Sequence, residues 1–195
     1  MTPKLPEARR AYAAVLFAAG KPEGIPVLQE LLDSGRATAQ DRLDLAEACL
    51  RFNDVPLAEK QAFHLLQQGE RTPDALFVLA RVRLAQRRAA DAMQALQECV
   101  EAGGGADAAI LLARLRFAAN TPDSIAAATD LLRPLAARND AAGLDALMAL
   151  LASPAMKTDE ARGWINAVRT HLMASDEQKL AASSAEFQID PRAYA

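Results

Sequence analysis

The sequence predicts an all-α fold, an α-solenoid of stacked antiparallel helix pairs, and three observations carry that reading. First, Leu79-Ala80-Arg81-Val82-Arg83-Leu84-Ala85 returns almost letter for letter as Leu112-Ala113-Arg114-Leu115-Arg116-Phe117-Ala118, 33 residues further on. Self-similarity at such a period marks repeat units that are each too small to bury an apolar face alone. Second, 51% of the 195 residues are hydrophobic, with Ala, Leu and Arg abundant, β-branched residues sparse, and only 9 Gly and 10 Pro. Ala and unbranched side chains lose least on entering a helix. Third, apolar residues recur at helical spacing and are interrupted by Gly, Asn-Asp and Thr-Pro-Asp breaks, which punctuate helices.

The first pair runs from Pro6 to about Ala19, with Tyr12, Val15, Leu16 and Ala19 at helical spacing. After the break Gly20-Lys21-Pro22-Glu23-Gly24 it returns from about Ile25 to Leu32 and ends at Ser34-Gly35, Gly taking the left-handed conformation that closes a helix. Thr38 caps the second pair, whose first helix carries Leu43, Leu45, Ala46, Cys49 and Leu50 up to the turn at Asn53-Asp54. Its partner, from about Val55 to Gln68, buries Leu57, Ala58, Ala62, Leu65 and Leu66 before Gly69 closes it. The third pair opens on Thr72-Pro73-Asp74, where Thr caps, Pro presets the first helical φ and Asp complements the helix dipole. It continues to about Arg87 and returns from Ala89 to Ala102 with Ala92, Leu96, Cys99 and Val100 on one face, before Gly103-Gly104-Gly105. The fourth covers Ala106 to Asn120 and, after Thr121-Pro122-Asp123, Ile125 to Ala137. A fifth, divergent pair covers Ala141 to Leu151 and, past Ser153-Pro154, Thr158 to Ala174. Ser175-Asp176-Glu177-Gln178 has the form of a capping box. The expected domains are therefore an array over 6–174, a capping helix over 175–187 and a flexible tail over 188–195.

One aligned site, held in turn by Phe17, Leu50, Leu84 and Phe117, recurs at intervals of 33, 34 and 33 residues. In the fifth pair Met148-Ala149 stands 36 residues after Leu112-Ala113, so the loop around Asn139 is expected to absorb the excess at the cost of loop entropy alone.

With its large-small pairs Leu45-Ala46, Leu79-Ala80 and Leu112-Ala113 on the first helices, and Ala58, Ala92 and Ala161 on the second, the chain resembles the tetratricopeptide repeat (TPR) family over roughly residues 6 to 174. It departs from that pattern where the family's tyrosine stands, since Cys49, Arg83 and Arg116 hold that site, and it lacks the usual Gly and the closing Pro. The resemblance implies a right-handed superhelix whose first helices line a concave groove. Carried over by repeat position, that groove would hold Leu43, Glu47 and Leu50, then Asp74, Phe77, Arg81 and Leu84, then Asp107, Ile110, Arg114 and Phe117. Phe77, Arg81 and Leu84 lie about one turn apart and share a face; with Arg114 they would suit an extended or helical peptide carrying a carboxylate. The same residues also admit a plain structural reading. Arg81 and Arg114 could pair with Glu47, Asp74 or Asp107, and Leu84 and Phe117 could simply pack between units. Arg83 and Arg116 are expected to lay their stems over the helix pair with their heads in water.

Other chemistry is not indicated. A net charge of −3 and a pI near 5.5 give no basic face for nucleic acid or an anionic membrane. No stretch reaches the ~20 apolar residues of a spanning helix. Arg9-Arg10 before the apolar run Ala11 to Ala19 looks like a short signal peptide, but Glu7 interrupts the basic stretch and Phe17-Ala18-Ala19 follows the repeat pattern, so the segment is assigned to the fold. Cys49 and Cys99 read as small buried hydrophobes, Trp164 as a core anchor and His64 as a partly buried structural residue. His64 and His171 have no second ligand at metal spacing. Gly103-Gly104-Gly105 lacks the strand and Lys of a phosphate loop. Asp41, Asp44 and Glu47 read as a solvated face, and no nucleophile, base and orienting group come together.

The expected function is thus a non-catalytic scaffold or adaptor that binds a protein or peptide through the groove, without cofactor or metal, in the cytoplasm. Two rivals stay open on the residues alone. The chain could be a spacer or regulatory segment of a larger multidomain protein, periplasmic if that protein is exported, or it could self-associate through its end helices.

Overall fold

The computed structural model describes residues 5–69, 71–157 and 160–189, and every regular element among them is helical. The chain divides into two compact units, residues 1–103 and 104–195.

Unit 1 holds three helix pairs: α1 Pro6–Ala18 with α2 Gly24–Asp33, α3 Ala39–Arg51 with α4 Val55–Gln67, and α5 Pro73–Ala85 with α6 Ala89–Glu101. Each helix packs on the next, and α3 also packs on α5. The small residues Ala46, Ala58, Ala80 and Ala92 are completely buried. Val27, Leu28, Leu31, Leu45, Cys49 and Val82 form one apolar cluster with Ala58, and Leu43, Leu65 and Val78 belong to another with Ala46. Thr38 accepts from the Asp41 amide while the Asp41 carboxylate accepts from the Thr38 amide at 2.7 Å, closing a full capping box. Thr72 caps α5 with Pro73 in its first turn, as the sequence predicts.

The turns repeat as faithfully as the helices. Gly20, Asn53, Arg87 and Asn120 all have positive φ, between 52° and 69°, and each stands three residues after the aligned site at Phe17, Leu50, Leu84 and Phe117. Gly35, Gly69 and Gly103, at φ 69°, 80° and 87°, end the second helices of unit 1 at intervals of 34. Glycine meets this left-handed requirement without a Cβ penalty. Arg87 ends α5 two residues earlier than the sequence suggests, because a left-handed residue leaves the helix.

Unit 2 holds α7 Ala106–Ala119 with α8 Pro122–Ala136, then α9 Ala141–Leu151, a 3₁₀ turn Pro154–Lys157, α10 Ala161–Thr170 and α11 Asp176–Ile189. Its core gathers Phe117, Leu132, Leu147, Leu150, Ile165 and Val168, with Trp164 8% exposed against them. Ser175 and Gln178 exchange the two hydrogen bonds of the expected capping box, at 2.8 and 3.2 Å. Three details depart from the sequence reading. The excess length of the fourth repeat lies in the helices, since α7 has 14 residues and α8 has 15 against 13 in each of α3 to α6. Helix α10 stops at Thr170 because His171 turns extended and buries itself: its Nδ1 accepts from the Met173 amide at 3.2 Å, which leaves Nε2 to donate to the Arg138 carbonyl at 3.3 Å. Helix α11 runs to Ile189, and the rest of the predicted tail lies outside the described residues. Thr158, predicted to begin the returning helix, also lies outside them.

Candidate functional site

Two clefts open beside the first helices of the pairs, one within each unit. In unit 2 the cleft lies between α7 and α9, has a volume of about 390 Å³, and is lined by Arg114, Phe117, Ala118, Met148, Ala149, Ala152, Ser153 and Pro154. Phe117 is 6% exposed and forms part of the floor. Arg114 is exposed, and among the described residues it makes no ion pair or hydrogen bond. No carboxylate lines the cleft, so an apolar floor lies beside one uncompensated guanidinium.

The cleft of unit 1 lies between α1 and α3 and measures about 310 Å³. Its apolar wall is Ala13, Phe17, Ala18, Leu28 and Ala48. Phe17 and Ala18 hold the same repeat positions as Phe117 and Ala118. The ring of Phe17 rests on Gly24 at the start of α2, in space a Cβ there would take. The polar wall is Arg10, Asp44, Glu47 and Arg51, and most of it is engaged. Arg10 Nε donates to both oxygens of Asp41, at 2.7 and 3.0 Å, and Arg51 donates to the Phe17 carbonyl at 3.2 Å. Asp41 is 2% exposed, which corrects its reading as part of a solvated face. Burial pushes its carboxyl pKa up, but hydrogen bonds from Arg10 and Thr38 outweigh burial and hold it below the ordinary Asp value.

No family model matches the chain, and no curated protein is significantly similar to it. What the clefts can do follows from their own chemistry.

Of the residues expected in the groove, the structure brings Glu47, Phe77 and Arg81 together in unit 1. The Arg81 guanidinium lies 5.9 Å from the centroid of the Phe77 ring and 3.9 Å from Glu47, so its charge is already shared. Leu84 is half-buried and Asp74 exposed in the first turn of α5. In unit 2 Arg114 and Phe117 meet in the cleft, Asp107 is exposed at the start of α7, and Ile110 is 6% exposed in the core. Leu43 likewise belongs to a core cluster, with Leu50 packed against it.

Arg83 and Arg116 do not keep their heads in water. Arg83 donates to Glu59 at 2.5 Å and to Gln86 at 2.9 Å, which ties α5 to α4 and holds the Glu59 carboxyl below its usual range. Arg116 reaches the Ala127 carbonyl at 3.4 Å. Of the three residues at the family's tyrosine site, Arg83 and Arg116 are held by polar ties, while Cys49 is buried in an apolar cluster. Met148, Phe17 and Arg10 are cleft residues that repeat-by-repeat carry-over missed; Phe17 was findable, because it shares a register site with Phe117. Among the described residues no group of His, Cys, Asp or Glu could hold a metal ion, and no helix is long and apolar enough to cross a membrane.

Proposed function

We propose that this chain is a degenerate TPR-like array that binds a peptide segment of a protein partner at its first-helix clefts, without catalysis, as a scaffold or adaptor. The observation that carries this reading is the unpaired Arg114 beside Phe117 and Met148 in a cleft with no carboxylate of its own. A short apolar side chain seated on that floor places a carboxylate, from a side chain or a chain terminus, next to a guanidinium built for bidentate contact. The register-equivalent cleft at Phe17 supports the same use in unit 1, with Asp44 and Glu47 favouring a basic or neutral neighbour residue there. Arg81, shared between Glu47 and Phe77, is the weaker anchor.

Selection of a random peptide library on the full chain tests the proposal. Peptides that pair an apolar residue with a carboxylate should be enriched, and Arg114→Ala should lose them. Enrichment without acidic residues, or equal recovery on Arg114→Ala, removes the reading.

A further inference from the structure

A separate cleft of about 190 Å³ lies between α2 and α4, and shares no lining residue with the α1–α3 cleft. Gln29 and Asp33 of α2, Arg42 of α3, and Lys60, Gln61 and His64 of α4 line it. Gln61 is 4% exposed, and its Oε1 accepts from Arg42 Nη1 at 3.1 Å. A guanidinium can only donate, so this contact fixes the amide: the oxygen faces Arg42 and the NH₂ group faces away. That NH₂ has no partner among the described residues. No fully sealed side-chain nitrogen or oxygen among them lacks a partner, so the Gln61 NH₂ keeps contact with solvent, and Gln61 lines the cleft. Lys60 and His64 stand one turn apart on α4 and share a face, and neither side chain has a hydrogen bond or ion pair among the described residues. Asp33 is the single carboxylate, and so the single anionic acceptor, among the lining side chains.

We propose that this cleft binds a phosphoryl group, as free phosphate or as a phosphorylated side chain. Donors reach the cleft from three helices, α2, α3 and α4, and so approach it from more than one side. That arrangement suits the oxygens of a tetrahedral anion better than the single edge of a planar carboxylate. The volume admits a phosphoryl group with a few waters and falls below the ~300 Å³ at which sites for drug-sized ligands begin, so the cleft is sized for the phosphoryl group and not for a whole nucleotide.

The test is an amide chemical-shift titration of the full chain at constant ionic strength, with inorganic phosphate in one arm and a phosphoserine peptide beside its unphosphorylated twin in another. Saturable shifts centred on α2 and α4 are expected, with affinity reduced about tenfold in the double variant Lys60→Ala/His64→Ala and unchanged in Lys21→Ala, which removes the same charge elsewhere. Tighter binding of the phosphopeptide than of phosphate assigns the group to a side chain; equal binding assigns it to the free anion. Shifts that do not saturate, a twin that binds as well as the phosphopeptide, or a double variant that binds like wild type overturns the proposal. Should the double variant misfold, the exposed Lys60→Gln change alone decides, by the same loss of affinity or its absence.

Discussion

At the scale of single residues, stability is concentrated in a few polar contacts that the apolar pattern does not reveal. Asp41 closes the cap of α3 and receives Arg10 of α1, so one buried carboxylate serves two elements. Asp41→Ala should cost about 1–3 kcal/mol, read as a lower denaturant midpoint. The folded pKa of Asp41 is depressed, so its contribution is present above the unfolded value near ~4 and is lost as pH falls through the folded one. Wild type should therefore lose more stability on acidification than Asp41→Ala does. Arg87 is the opposite case. It holds the left-handed turn position that elsewhere belongs to Gly or Asn, at a cost of about 1 kcal/mol for an ordinary side chain. Arg87→Gly should raise the melting temperature by the equivalent of about 0.5–1 kcal/mol; a decrease would mean that the Arg87 side chain contributes a contact that offsets the strain.

At the scale of elements, helix existence and repeat register were legible in the sequence because both rest on local chemistry. Apolar spacing, Thr-Pro caps and closing glycines act over a few residues, and α1 to α9 follow them to within about a turn. What could not be read depends on contacts between distant residues. Asp41 is acidic and sits among other acids; beside its local cap with Thr38 it meets Arg10, 31 residues away, a partner that the sequence does not reveal. His171 ends α10 because it finds the carbonyl of Arg138, 33 residues earlier. Of the residues expected in the groove, Arg114 and Phe117 line one cleft, whereas Ile110 and Leu43 are core residues, since a strongly apolar first helix has more than one buried face. Gly143 is another long-range case: in the first turn of α9 its missing Cβ makes room for the Arg138 carbonyl, and Asp140 caps its amide at 2.9 Å. Because backbone must move, Gly143→Ala should destabilise unit 2 by about 1–3 kcal/mol. Trp164, the only tryptophan, reports that unit through its emission, and an unchanged unfolding midpoint would show that the turn yields freely.

At the scale of the whole molecule, the two units carry the same device in different electrostatic settings. Unit 1 also holds both cysteines, buried and unpaired. Burial and the nearby Asp54 raise the Cys49 pKa to about 12, and burial raises that of Cys99, so neither offers a thiolate near neutrality. A thiol reagent should label neither in native buffer and both in denaturant; rapid native labelling would show that unit 1 opens readily. For function, the difference between the clefts decides more than their likeness. The Phe17 cleft is edged by charges largely committed to the fold, whereas the Phe117 cleft offers a guanidinium that packing does not use. The decisive measurement is the Kd of a library-selected peptide for wild type and for Arg114→Gln. A charge-assisted contact of about 1.5–3 kcal/mol predicts a loss of about tenfold or more for the variant, with helical content unchanged. Equal Kd values would contradict the account.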